Sequence, residues 1–236
     1  MNLLTIIKTL EYLQLNIFTL DDLIKITNQK KEVIKNKLTR LVAQKKIFRI
    51  KKGYYSIKKI NDKFQLQRTY NQTYICLQSA LEYYGSTTQR FNNLDLITKK
   101  ALNNQEINKT KITFHKVKKE MFFGYQKNTI NNTEIFISNI EKTIIDCIYF
   151  SSKVYLTDTI DFIKKFKNKI DITLLKTYLH KINSSALNKR TGYLLELQGI
   201  KITGLKINNK YEKLNNNLQN KGTKNKKWKL IINEEL

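Results

Sequence analysis

After Lys46 the apolar residues of this chain change period. Upstream, Ile34, Leu38, Leu41 and the stem of Lys45 recur at i, i+4, i+7 and i+11, the spacing of one helical face. Downstream, "IFRI" and "YYSI" flank Lys51-Lys52-Gly53, so β-branched and aromatic residues surround a glycine able to take the positive φ of a tight hairpin turn. A helix that runs directly into a two-stranded hairpin is the tightest local constraint in the chain. Two further helices precede it. Leu3, Leu4, Ile7, Leu10 and Leu13 or Leu15 mark one face of a helix over residues 2–15. A second helix starts at Thr19, whose hydroxyl can accept from the Asp22 amide, while Phe18 and Leu23 form a hydrophobic staple. It runs to about Thr27, and Asn28 is placed to cap the third helix.

Three helices followed by a hairpin is the order of a winged helix-turn-helix, expected here over residues 1–62 as a DNA-binding domain. With the Ile34 stripe facing inward, Gln29, Glu32, Asn36, Thr39 and Arg40 point outward, flanked by Lys31 and Lys35. Net charge alone argues weakly for a polyanionic partner. Only five of the 44 basic residues are Arg, Asn is abundant and Pro is absent, a bias expected of an A+T-rich genome, and it inflates the formal +25. The distribution of charge argues better: residues 25–59 hold thirteen Lys or Arg against Glu32, leaving +13 for all the rest. Codon bias does not concentrate charge in this way, so a localised anion-binding surface is expected, with double-stranded DNA as the partner. The expected contact set is Gln29, Lys30, Lys31, Lys35, Asn36, Thr39 and Arg40 on the third helix, with Arg49, Lys51 and Lys52 on the wing. Lysines there position the backbone, Asn36 and Gln29 suit adenine, the Thr39 methyl suits thymine, and Arg40 suits guanine, which together favour an A+T-containing operator.

From Phe64 the charge thins, and residues 63–236 read as a second domain of mixed α/β character with a small sheet and a helical segment, making the whole chain α+β. "YICLQSALEYYG" places Leu77, Ala80, Leu81 and Tyr84 on one helical face and ends on Gly85, a suitable residue just past a helix. "KITFHKV", "MFFGYQK" and "TEIFISN" read as strands. In "SNIEKTIIDCIYF", Ser138 and Glu141 have capping-box spacing and Ile140, Ile144 and Ile148 line a face. Helices are expected over 157–167, 172–182 after Asp171, and 186–198, with "KWKLIIN" as a closing strand.

Taken in order, the "KKGYYSI" wing, "LQSALEYYG", "TFHKV...FFGYQ", "ISNIEKTIIDCIYF", "NKRTGYLLELQG" and "YEKL...G...KWKLIIN" resemble the AbiEi family of type IV antitoxins across nearly the whole chain. The resemblance implies an N-terminal winged helix that represses its own promoter. It also implies an AbiEi-like C-terminal domain opposing a co-encoded nucleotidyltransferase-like toxin without a stable complex. One departure is local: where such proteins often continue "YEKL" with Asp-Pro, this chain has Asn215 and Asn216. The alternative is a plain regulator whose second domain senses a ligand or oligomerises.

Little argues for catalysis, and no enzymatic activity or cofactor is expected. Glu141, Lys142 and Asp146 are the nearest charged group, but Glu141 already has a capping role and Cys147 reads as a small core residue. His115 and His180 lack metal-ligand spacing and read as surface or partly buried side chains, so no metal is expected. Arg190, in a chain that nearly always uses Lys, suggests a bidentate contact, to an internal carboxylate first and an external phosphate second. At least one of Tyr54 and Tyr55 should pack on the three-helix core. Two scattered cysteines, Cys76 and Cys147, fit a reducing compartment, and no apolar run approaches the roughly 18 residues of a membrane span, so a cytoplasmic protein without a membrane partner is expected.

Overall fold

The computed structural model describes residues 2–235 except Thr88 and Arg90. Asn2 caps α1 (Leu3–Tyr12), its side chain accepting from the Thr5 amide at 2.8 Å. Ile6 and Leu10 carry the buried face, while Leu4 and Leu13 of the expected stripe are exposed. A short strand β1 (Ile17–Thr19) leads into α2 (Leu20–Thr27). The Thr19 hydroxyl accepts from the Asp22 amide and the Asp22 carboxylate accepts from the Thr19 amide, a complete capping box. Phe18 and Leu23 are buried in one cluster, as the staple requires.

Asn28 does something other than expected. It ends α2 in the left-handed region (φ 51), its amide donating to the Ile24 carbonyl at 2.8 Å, and Lys30 precedes α3 (Lys31–Ala43) with no side-chain cap. Asparagine tolerates that backbone conformation better than most residues, which suits it to closing a helix. Ile34, Leu38 and Leu41 form the inward stripe, but Lys45 lies beyond the helix at φ 55 and is exposed.

The hairpin comprises β2 (Phe48–Lys51) and β3 (Tyr54–Ser56), turning at Gly53 with φ +83. β1 joins it in the antiparallel order β1-β3-β2, so the sheet has three strands where two were expected. Tyr55 stacks on Phe18 at 6.0 Å and belongs to the first core, which is drawn from residues 3–57 alone.

The rest of the chain is mixed α and β. A 3-10 segment over Lys63–Thr69 precedes β4 (Thr73–Ile75), α4 (Leu77–Tyr83), β5 (Asn93–Thr98), β6 (Gln105–Ile107), β7 (Thr110–Lys116), β8 (Tyr125–Ile130) and β9 (Thr133–Ser138). The strands form one sheet, β6-β7-β5-β4-β9-β8, with β5–β7 and β4–β9 parallel and the other pairs antiparallel. It is larger than the three runs expected. β4 is three residues long, and the apolar run of β5 is broken by Asp95, buried on its own partners, so neither announces itself. "MFFGYQK" divides at Gly124 into a 3-10 turn and the start of β8.

α5 (Ile140–Tyr149), α6 (Leu156–Phe166), α7 (Ile172–Ile182) and α8 (Ser185–Leu197) follow, covering one face of that sheet through a common core that includes Tyr74, Ile97, Ile144 and Phe162. Gly85 has φ +65 just past α4, and Asp171 caps α7 by accepting from the Leu174 amide. The expected Ser138–Glu141 box is absent. Asn139 is the cap of α5, accepting from the Lys142 amide at 2.9 Å, while Ser138 shares a 2.7 Å bond with Thr143 and Glu141 accepts from the Asp171 amide. The chain closes with β10 (Glu212–Lys213), β11 (Thr223–Asn225) and β12 (Leu230–Ile232), in the order β10-β12-β11. Among the described residues no helix is long and apolar enough to cross a membrane.

Candidate nucleic-acid interface

α3 buries three side chains and leaves the remainder of its surface to charge. Lys30, Lys31, Lys35, Asn36, Thr39 and Arg40 are all exposed, as are Arg49 and Lys52 on the hairpin. Their grouping follows from the helical period: once Ile34, Leu38 and Leu41 point inward, Asn36 and Arg40 must point away. Lys35 pairs with Glu32 at 3.0 Å, but both are exposed and such a contact is worth little against solvent.

Three further members of the expected set are engaged by the protein itself. Gln29 is half-buried and its side-chain oxygen accepts from Lys37 at 2.7 Å. The Thr39 hydroxyl donates to the Lys35 carbonyl at 3.1 Å, which occupies the hydroxyl. Lys51 departs most. Its ammonium lies 3.3 Å from the centre of the Tyr70 ring and 5.0 Å from that of Tyr54, and burial lowers its pKa to about 8.

Further cations extend the same surface without having been singled out: Lys45 and Lys46 after α3, and Lys58 and Lys59 after β3, all exposed. Only the local charge count signalled them. Val33 and Phe48 are also exposed here, at 43% and 38%.

The second concentration of polar groups is interior. Lys142 and Asp146, one turn apart on α5, form a fully buried ion pair, and the Tyr74 hydroxyl donates to the other Asp146 oxygen at 3.1 Å. Burial pushes the Asp146 carboxyl up, against the pull of Lys142 and the Tyr74 hydroxyl, and it pushes the Tyr74, Cys76 and Cys147 groups well up too. Nearby, His115 Nε2 meets Asp95 at 2.9 Å, and the Ser79 hydroxyl donates to the same carboxylate at 3.3 Å while accepting the Asp95 amide. His115 is therefore buried, at 7% exposure. These hydrogen bonds and ion pairs lie out of solvent and tie β4, β5, β7 and α5 together. Among the described residues no cluster of His, Cys, Asp or Glu has the arrangement of a metal site.

Arg190 makes the internal contact expected of it, but to different partners. Nε donates to the Lys213 carbonyl at 2.9 Å and an Nη to Asn216 Oδ1 at 2.6 Å. Its neighbour Lys189 reaches Asn208 and the Lys210 carbonyl. Adjacent cations of α8 thus hold the chain on both sides of β10, Lys189 before it and Arg190 at its end and just after, and Asn216 serves as an acceptor although it is no carboxylate. His180 is exposed and lies 3.2 Å from the Gly204 carbonyl.

No family model and no curated protein matches this chain. Among solved structures it is similar to the RV2827C protein from Mycobacterium tuberculosis, with 11% sequence identity, a TM-score of 0.64, and coverage of 95% of this chain and 89% of that one. At that identity the likeness is one of fold, extending over both parts of the molecule.

Proposed function

We propose that the first three helices and the hairpin form a winged helix-turn-helix that binds duplex DNA, with α3 in the major groove and the β2–β3 wing against the flanking backbone. The observation that carries this reading is the exposure, on one helix and one hairpin, of Lys and Arg side chains interrupted by a single Glu32, with Asn36 exposed among them on α3. Short polar side chains at base edges among lysines at phosphates is the division of labour such an interface needs. On the motif resemblance, the chain acts as a repressor of its own promoter, and its second domain acts as a type IV antitoxin opposing a nucleotidyltransferase-like toxin without a stable complex.

The test of the first part is fluorescence anisotropy of the whole protein on DNA from upstream of its gene and on a scrambled duplex. If the interface neutralises ~6 phosphates, affinity falls by roughly three orders of magnitude between about 50 and 200 mM salt. Binding that barely responds to salt would exclude the electrostatic reading. The second part is tested by co-expression with the neighbouring toxin, where rescue without co-purification is expected and a stoichiometric complex would overturn the type IV assignment.

One observation favours the second reading, a ligand-sensing regulator. An open cleft of about 950 Å³ runs between the Lys63–Glu82 ion pair, Tyr83, Phe91 and Asn108. Calorimetric titration with nucleotides would distinguish the two.

A further inference from the structure

Lys51 and Lys52 are neighbours in sequence at the tip of one hairpin, yet only Lys52 is free to meet a DNA backbone. The cause is a β-bulge. Arg49 pairs with Tyr55 and Lys51 with Tyr54, so Ile50 is an extra residue and the strand re-aims Lys51 across the ring of Tyr54 towards Tyr70. Tyr70 is a rigid seat. It is 7% exposed, packs edge-on against Phe114 at 5.0 Å, and donates its hydroxyl to Gln105 of β6 at 3.0 Å. Ile50 and Ile60 add apolar contact beside it.

The opposite end of the three-stranded sheet is clasped too. Asn16 Nδ2 donates to the buried Thr133 hydroxyl at 3.2 Å, which also accepts from Gln65 at 2.9 Å, and the Asn16 carbonyl accepts from the Ile57 amide. The sheet that presents the wing is therefore held by the second domain at one end through a hydrogen-bonded asparagine and at the other through Lys51 on the Tyr70 ring beside the apolar contact of Ile50. The two restraints differ in kind. The Asn16 clasp is specific to Thr133, whereas an ammonium over a ring can leave for any anion that offers more.

We propose that Tyr70 and a DNA phosphate compete for Lys51, so that the second domain withholds part of the wing in the free protein and DNA binding unseats it. The proposal rests on the winged-helix reading above and adds to it the residue that restrains the wing. Because the phosphate must first displace a desolvated cation–π contact, removing the ring should tighten DNA binding by about two- to thirty-fold. The salt slope should stay unchanged, since Lys51 meets a phosphate in the complex of either protein. DNA binding must in turn weaken the contact between wing and second domain, because coupling between two equilibria is reciprocal.

The experiment uses the full chain and a short fluorescein-labelled A+T-rich duplex. Tyr70→Leu should bind more tightly than the wild type, Tyr70→Phe, which keeps the ring, should bind like it, and Tyr70→Leu should have no effect once Lys51→Gln is present. A Tyr70→Leu affinity equal to wild type, or a gain that survives Lys51→Gln, overturns the proposal. Wild-type protein that binds no duplex overturns the DNA-binding reading and the proposal with it, so the two failures are told apart. A measurement on the unaltered protein guards against misfolding of the leucine variant. With 13C at the lysine ε-carbons, and Lys51 assigned by its loss in Lys51→Gln, the ring should shift the Lys51 ε-methylene upfield in the free protein, and saturating duplex should abolish the shift. Persistence of the shift on DNA would also overturn the competition.

Discussion

The indole of Trp228 occupies the space that a side chain at Gly192 would need: a Cβ there would lie 2.1 Å from Cη2 and Cζ3 of the ring. Gly192 lies within α8, where glycine costs about 1 kcal/mol relative to alanine, so its presence needs a packing reason. Trp228 supplies it, anchored from the other side by its indole nitrogen donating to Glu196 at 2.5 Å. Gly192→Ala should therefore destabilise the protein by about 1–3 kcal/mol in spite of its better helix propensity. The chain has one tryptophan, so urea unfolding followed by its fluorescence reads both stability and seating. An unchanged midpoint with an unchanged emission maximum would show that the indole does not rest there.

The buried Lys142–Asp146 pair predicts an asymmetry between single and double variants. Asp146→Ala strands an ammonium in the core and removes the acceptor of the Tyr74 hydroxyl, and should cost about 3–5 kcal/mol. Replacing both members with apolar residues of similar size, Lys142→Met with Asp146→Leu, should cost much less because no charge is left behind. Thermal unfolding of the three proteins decides it. A double variant as damaged as the single one would mean that the network specifies the fold beyond the charge balance.

Readout and positioning should separate at the proposed DNA interface. Asn36→Ala should cost about 1–3 kcal/mol on the operator and far less on random duplex, whereas Lys52→Ala should weaken both alike and flatten the salt slope. The same anisotropy titration on two DNAs measures this. Equal losses on both for Asn36→Ala would move that residue from the base edges to the backbone.

Alkaline stability follows from groups whose folded pKa is displaced. Burial raises Tyr70 to about 12 and also raises Tyr74 and Tyr84. The unfolded chain releases these protons near pH ~10 while the folded one holds them, so their contribution is whole below ~10 and is lost as pH rises towards 12. Lys51 acts in the opposite sense: its folded pKa of about 8 lies below the ordinary value, so the unfolded chain binds more protons between about 8 and 10 and stability rises there. Burial also raises the Cys76 and Cys147 thiols, whose contribution starts to be lost near pH ~9 and opposes that of Lys51, so urea midpoints should change little at first and then fall steeply. In Tyr70→Phe the fall should be shallower, and in Lys51→Gln it should begin at lower pH. A midpoint that stays level from pH ~10 to ~12 would contradict the burial of the three hydroxyls.

Features set within one or two turns of chain were legible in the sequence. The Thr19–Asp22 box, the Phe18–Leu23 staple, the stripe of Ile34, Leu38 and Leu41, the Gly53 turn and the Gly85 helix end each depend on residues a few positions apart, and the periodicity of helix and strand exposes such relationships. The outward face of α3 was legible for the same reason. Even locally, competition among polar residues hid two outcomes: Asn28 closes α2 instead of opening α3, and Asn139 takes the cap that Ser138 could have held. Several hydrogen-bonding groups stood within reach of the same amides, and only the packed backbone chose between them. Tertiary structure alone decided the rest. Ile17, Phe18 and Thr19 are too few to display a strand period, and they become a strand because the edge of β3 is there to pair with. Lys51 read like any other wing lysine until the bulge at Ile50 carried it onto Tyr70, a ring whose position is set by Phe114 and Gln105 from another sheet. Charge at that position was written in the sequence, but whether it faces solvent or an aromatic ring depends on which distant surface folds against it.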